Sequence, residues 1–111
     1  MPDSSRRALY RIAYPLAERP TFLVGRHVYE IIDCSEAGLR YEVRDRRLPS
    51  LDTELGGTIH FRRGEELEVA GKVIRAQDEI VVLALDPPGI PFSEMLSEQR
   101  YLRSKGYTLR D

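Results

Sequence analysis

Short β-type segments between Thr21 and Leu85, separated by turn residues, limit the fold more than any other feature of the sequence. Residues 21–24 and 27–32 are rich in β-branched and aromatic side chains, and they flank a turn at Gly25. This arrangement predicts a β-hairpin, because glycine readily adopts the backbone angles that a tight turn requires. Short strands that recur in this way predict a small β-barrel.

Further strands are predicted at residues 38–43, 58–62, 66–76 and 79–85. The first and third of these alternate apolar and polar residues, whereas the last is almost continuously apolar and is expected to be buried on both faces. Gly71 shares the apolar face of its strand, which indicates a bend at a barrel corner. Between Arg44 and Gly57 the charges, a proline and paired glycines predict a loop.

The C-terminal part of the chain predicts one helix. Proline and glycine at residues 87–89 end the last strand, and Ser93 is a suitable N-cap for a helix that Gly106 would stop. Apolar residues from Phe92 to Leu102 follow helical spacing, with Glu98 assigned to the solvent-facing side. We therefore expect a mainly β fold, a six-stranded antiparallel β-barrel with a C-terminal α-helix.

Length and composition favour one soluble domain. With 111 residues, 41% hydrophobic and 32% charged, we expect a flexible segment at 1–7, a single domain at 8–107 and a tail at 108–111. No apolar run approaches the ~20 residues of a membrane-spanning helix, and no signal peptide is evident, which predicts a cytoplasmic protein without membrane insertion. Cys34 is the sole cysteine, so no intrachain disulfide can form.

The charge distribution argues against a general nucleic-acid-binding protein. The net charge is −1, whereas such proteins usually carry a large positive excess. Lys72 and Lys105 are the lysines among 17 basic residues, which leaves 15 arginines. This bias has two interpretations, a compositional habit of the source genome or recognition of phosphate and guanine by guanidinium groups.

Two short motifs carry the candidate chemistry. Arg7 and Arg11 form an RxxxR motif that follows Arg6, and residues 33–38 form a DxSxxG motif at the junction of two predicted strands. In this order, and with this barrel pattern, the chain resembles the PilZ domain family, whose members are six-stranded barrels that bind the bacterial second messenger cyclic di-GMP. The resemblance covers nearly the whole chain. Cys34 and Ala37 depart from the usual family residues at their positions without altering a motif position.

The resemblance implies a ligand site and a function. The implied cyclic di-GMP-binding residues are Arg6, Arg7, Arg11, Asp33, Ser35 and Gly38. Arginine can donate two hydrogen bonds at once, to guanine O6 and N7 or to a phosphate. A carboxylate can accept hydrogen bonds from guanine N1–H and N2–H₂. Ser35 supplies a hydroxyl, and Gly38 leaves room and can adopt unusual backbone angles. The expected protein is a stand-alone receptor, a monomer or weak homodimer, that relays the signal to an unidentified protein partner.

The number of ligands follows from the same resemblance. In PilZ domains an arginine immediately before the RxxxR motif suits two intercalated nucleotides, whereas a bulky apolar residue suits one. Arg6 occupies this position. We therefore expect two cyclic di-GMP molecules per chain and no other cofactor.

Several alternatives remain at this point. A DxSxxG sequence between strands is also a good turn, and arginines near a terminus are often solvated. The alternative function is a PilZ-like interaction adaptor, as in pilus assembly or motility, that does not depend on nucleotide. We expect no enzyme, because no paired carboxylates or phosphate loop occur. Cys34 is predicted to pack in the core, and His27 and His60 lack metal-site spacing, so no metal is expected.

Overall fold

The computed structural model of the protein describes residues 10–45 and 47–107. The predicted flexible segment 1–7, with Arg6 and Arg7, lies outside the described residues, and so does the predicted tail 108–111. Seven strands, a short 3₁₀ helix at Leu16–Glu18 and an α-helix follow one another along the described chain. They are β1 (Arg11–Ala13), β2 (Thr21–Val24), β3 (His27–Ser35), β4 (Gly38–Glu42), β5 (Glu54–His60), β6 (Glu66–Gln77), β7 (Ile80–Leu85) and α1 (Phe92–Ser104).

Six of the strands close into an antiparallel barrel. The strands pair in the order β3-β2-β5-β6-β7-β4, and β4 pairs again with β3 to complete the ring. The short strand β1 adds to β3 beside β2, through the pairs Arg11–Ser35 to Ala13–Asp33. The predicted six-stranded antiparallel barrel with a C-terminal helix is confirmed. Closure leaves few unpaired strand edges, which suits a small β protein that has no disulfide.

The barrel interior is a continuous apolar core. Large side chains such as Phe22, Tyr41 and Leu83 are almost fully buried there, and helix α1 adds Met95 and Leu102 to the same cluster. Burial of this apolar surface is the main source of stability in a chain of this kind. None of the helices among the described residues is long and apolar enough to cross a membrane.

The predicted loop between Arg44 and Gly57 was too long. Strand β5 begins at Glu54, and both Gly56 and Gly57 pair with β6. A Cβ atom on Gly57 would lie 2.8 Å from the ring of Phe22, so this glycine allows two strands to approach closely. Paired glycines were therefore a sign of close packing here and not of a turn.

The last strand and the helix also differ from their predictions. In β7 burial alternates, with Val81 buried and Val82 half-buried. The reason is that the outer face of β7 is part of the barrel surface, which no other element of the described chain covers completely. Helix α1 begins at Phe92 after Pro91, so Ser93 lies inside the helix and is not its N-cap. Glu98, expected on the wet face, is 1% exposed.

Candidate functional site

Asp33 is the centre of the candidate site. It lies on the outer side of β3, yet its side chain is only 2% exposed, because two arginine side chains cover it. Arg11 on β1 donates from Nη1 to Asp33 Oδ1 at 2.7 Å. Arg40 on β4 donates to Asp33 Oδ2 from Nε at 2.8 Å and also from Nη2. Both carboxylate oxygens therefore hold a guanidinium group.

The two arginines remain available to a ligand. Their side chains are 47% and 44% exposed, and each retains N–H groups that Asp33 does not use. The hydrogen bonds from Arg40 to Asp33 raise the pKa of Arg40 above its ordinary value. Arg40 therefore carries a full positive charge at any physiological pH.

Ser35 and Gly38 complete the DxSxxG turn. They are paired residues at the end of β3 and the start of β4, and Ser35 Oγ donates to the Gly38 carbonyl oxygen at 3.4 Å. Gly38 does not use the positive φ angles that glycine can adopt, because it is not among the glycines with positive φ. A Cβ atom at Gly38 would lie 3.1 Å from the Leu83 carbonyl oxygen. Because β7 passes this close, the position favours a residue without a side chain.

A row of paired residues extends from Asp33 across the barrel wall. Asp33 on β3 is paired with Arg40 on β4, which is in turn paired with Val82 on β7. Val82 is then paired with Arg75 on β6. Directly paired residues on antiparallel strands project to the same face, with Cβ atoms about 4.5–5.5 Å apart. The row therefore places Arg40 and Arg75 on either side of Val82.

Two β-bulges create this row. The register shifts between Ile31 and Asp33 in the β3–β4 pair, and between Val73 and Arg75 in the β6–β7 pair. The alternation that fits the first part of β6 would turn Arg75 into the barrel, whereas the bulge at Ile74 leaves both Ile74 and Arg75 exposed. Bulges are common beside binding sites because they re-aim side chains in this way.

Arg40, Val82 and Arg75 of this row line a surface depression of 450 Å³. We call it the wall depression, and its lining residues are Arg11, Arg40, Ile74, Arg75 and Val82. Among the described residues that line it there is no carboxylate. A smaller depression of 180 Å³ adjoins it and extends to Ser35 and Gly38. With three arginines against Asp33, the described part of the site has two positive charges in excess.

The sequence motifs found part of this site. Arg11, Asp33, Ser35 and Gly38 are brought together as the motifs implied, whereas Arg6 and Arg7 lie outside the described residues. Arg40 was missed, although strict alternation with Leu39 and Tyr41 already placed it on the outer face. Arg75 could not have been found by alternation, because the bulge reverses its direction.

A second polar cluster lies inside the protein, behind the site. Glu98 on α1 accepts a 2.5 Å hydrogen bond from the Tyr14 hydroxyl and a 2.6 Å one from Arg63 Nε. Burial raises the pKa of Tyr14 and of Glu98 above their usual ranges. Cys34 is buried beside Tyr14, with Sγ 3.7 Å from its hydroxyl, so its prediction as a core residue is confirmed. This cluster holds the helix to the barrel.

No family model matches the chain, and no curated protein matches it. Among solved structures, the protein is similar to the crystal structure of an uncharacterized Legionella protein, with a TM-score of 0.61 and 19% sequence identity. The match covers 88% of this chain and 99% of the Legionella chain. At this level of identity the likeness shows a shared fold. A shared fold does not by itself indicate a function.

Proposed function

We propose that the protein is a receptor that binds cyclic di-GMP at the wall depression and relays the signal to a protein partner. The observation that carries this proposal is the 2.7 Å ion pair between Arg11 and Asp33. These residues come from the two motifs behind the PilZ resemblance, and they are 22 positions apart in the sequence. Both motifs thus contribute to one site, next to a positively charged surface.

The chemistry of the ligand fits the groups at this site. Cyclic di-GMP carries two phosphodiester charges and two guanine bases. Free N–H groups of Arg11 and Arg40 can donate to phosphate oxygens or to guanine O6 and N7. The described residues of the site carry two excess positive charges, which would offset one ligand molecule.

Guanine recognition by Asp33 requires an exchange of partners. In the structure Arg11 holds Oδ1 and Arg40 holds Oδ2 of this carboxylate. Guanine N1–H and N2–H₂ can reach Asp33 only when an arginine turns aside, and the half-exposed Arg40 is free to turn towards a phosphate. The arginine then exchanges one anion for another, so little favourable electrostatic energy is lost.

Titration calorimetry of the purified protein with cyclic di-GMP tests the proposal. We expect saturable binding, weaker binding of cyclic di-AMP, whose adenine has an amino donor where guanine has O6, and loss of affinity in Arg11→Ala. Arg26→Ala is the matched control, because Arg26 is exposed in the turn before β3, about 23 Å along the strand from Asp33. Absence of binding by the folded protein would sink the proposal and favour the nucleotide-independent adaptor.

The proposal also covers the location of the receptor, the number of ligands and the partner. We place the receptor in the cytoplasm, and we expect two nucleotides per chain because of Arg6. The partner would recognise the surface formed by the bound nucleotide together with the barrel wall. A ligand produces such a signal only by binding more tightly to the signalling state than to the other.

A further inference from the structure

Arg75 is an unpaired charged residue within the described part of the barrel wall. It is exposed, it lines the wall depression, and it forms no ion pair with any described residue. Three other arginines of the described chain pair with glutamates: Arg19 and Arg44 with Glu42, and Arg63 with Glu98. An arginine that lacks such a partner and is directed into a depression is available to an external anion.

The position of Arg75 depends on the bulge at Ile74. Without it, Arg75 would face the barrel core, where an unpaired charge is strongly destabilising. With it, Arg75 and Ile74 are both exposed, and Ile74, at 56%, is an apolar residue in the middle of a cationic surface. The bulge therefore provides both a positive charge and an apolar contact in the same depression.

We propose that Arg75 and Arg40 form a phosphate-binding subsite on the barrel wall, and that Ile74 packs against a base of the same ligand. This inference rests on the proposed cyclic di-GMP function and adds residues that lie outside both sequence motifs. Arg40 and Arg75 are separated by one strand, so their backbones are about 9.6 Å apart. Both side chains line the wall depression beside Val82, and a phosphodiester would bind between the two guanidinium groups once Arg40 turns from Asp33 towards it.

With this subsite, two separate parts of the chain would bind the ligand. Arg11 and Asp33 hold one side of the ligand, where the motifs meet, and the wall arginines hold the other. Because β4, β6 and β7 are hydrogen-bonded barrel strands, Arg40 and Arg75 stand on a rigid support. Because the backbone is already fixed, binding has to order only the two side chains.

Calorimetric titration with cyclic di-GMP at low salt tests the subsite, using Arg75→Gln, Arg40→Gln and the control Arg26→Gln. We expect each wall variant to lose about ten- to a hundredfold in affinity, since each loses hydrogen bonds between charged groups, and the control to match the wild type. The loss should shrink at high salt as the charges are screened. Circular dichroism verifies that the variants are folded.

The possible outcomes separate the two proposals. A wild-type protein that does not bind cyclic di-GMP would overturn the receptor function and the subsite with it. Wild-type binding with unchanged affinity in Arg75→Gln would overturn the subsite alone. Tighter binding by Arg40→Gln would show that Arg40 competes with the ligand for Asp33, which also contradicts the subsite.

Discussion

The Tyr14 hydroxyl donates a 2.5 Å hydrogen bond to Glu98 Oε1 and joins parts of the chain that are 84 positions apart. Tyr14 follows β1 directly, and its backbone N–H continues the pairing with β3 by donating to the Ile32 carbonyl oxygen. Arg11, at the start of the same short strand, holds Asp33. Strand β1 therefore connects the candidate ligand site on the barrel surface with the helix packed behind it.

Glu98 should give the protein a characteristic pH dependence. Burial raises the pKa of Glu98 and outweighs the hydrogen bonds from Tyr14 and Arg63, which lower it. The folded state therefore keeps this proton at pH values where the unfolded chain has released it. The stabilisation from Glu98 is present in full below the unfolded pKa and is lost as the pH rises through the raised, folded pKa.

The comparison of wild type with Glu98→Gln isolates this effect. We expect the free energy of unfolding of the wild type, minus that of the variant, to decrease as the pH rises above about 4.5, the ordinary pKa of a glutamate side chain. Urea unfolding followed by circular dichroism at several pH values measures it. A difference that grows with pH would mean that the hydrogen bonds outweigh burial and that the pKa of Glu98 is lowered.

Under the proposed function, Asp33→Ala should weaken cyclic di-GMP binding by about ten- to a hundredfold, because the carboxylate would accept hydrogen bonds from guanine and it positions two arginines. The fold should persist, since the released Arg11 and Arg40 are half exposed to water. Calorimetry measures the affinity, and Glu68→Ala, an exposed carboxylate on β6, is the control. Unchanged affinity in folded Asp33→Ala would refute the role of this residue.

The extent to which the site could be predicted follows from the periodicity of strands. Alternation in a regular strand identifies its outer face, as it does for Arg40 beside the buried Leu39. A bulge adds one residue and inverts every later position, so Arg75 could not be placed without knowing the pairing of β6 with β7.

The burial of Glu98 was not predicted, for a different reason. A single charged residue in a helix is usually solvated, and only tertiary contacts bury it. Its partners Tyr14 and Arg63 lie far away in the sequence, and nothing in the helix pattern indicates them. The barrel itself was predictable because short alternating strands and glycine turns are local signals.

Cys34 should be almost inert in the folded protein. Burial is the main cause that raises the pKa of its thiol to about 12, and the reactive thiolate is therefore scarce at neutral pH. Labelling with a thiol-specific disulfide reagent should be on the order of a thousandfold slower in the native protein than in urea, because it requires unfolding. Rapid labelling without denaturant would contradict the buried position.

Arg6 should determine how many nucleotides bind. The wild type is expected to bind two cyclic di-GMP molecules per chain, because an additional guanidinium offsets the charge of a second ligand. Arg6→Leu should reduce the ratio towards one while binding continues through Arg11 and Asp33. Calorimetry combined with light scattering counts ligands per protomer. A wild-type ratio of one, or a ratio of two that survives the substitution, would exclude this role.

Two glycines in neighbouring strands should respond in opposite ways to alanine. A Cβ atom on Gly71 of β6 would collide with the backbone carbonyl group of Ala84, whereas one on Gly56 of β5 would meet its nearest atom at an ordinary 3.7 Å. Neither glycine has a positive φ. A difference in stability between the two alanine variants therefore reports the room available for a Cβ atom and not backbone strain. The collision at Gly71 involves backbone of β7, which cannot move without breaking its pairing with β6.

We therefore expect Gly71→Ala to destabilise the protein by about 1–3 kcal/mol, the usual cost of overpacking. For a domain of this size each kcal/mol lowers Tm by about 4–8 °C. Gly56→Ala should be neutral or stabilising by about 0.4–1 kcal/mol, because alanine reduces the freedom of the unfolded chain. Thermal unfolding of both variants beside the wild type is the measurement. Equal Tm values for the two variants would show that β6 and β7 can separate at Gly71, and that the close approach of the two strands does not require glycine.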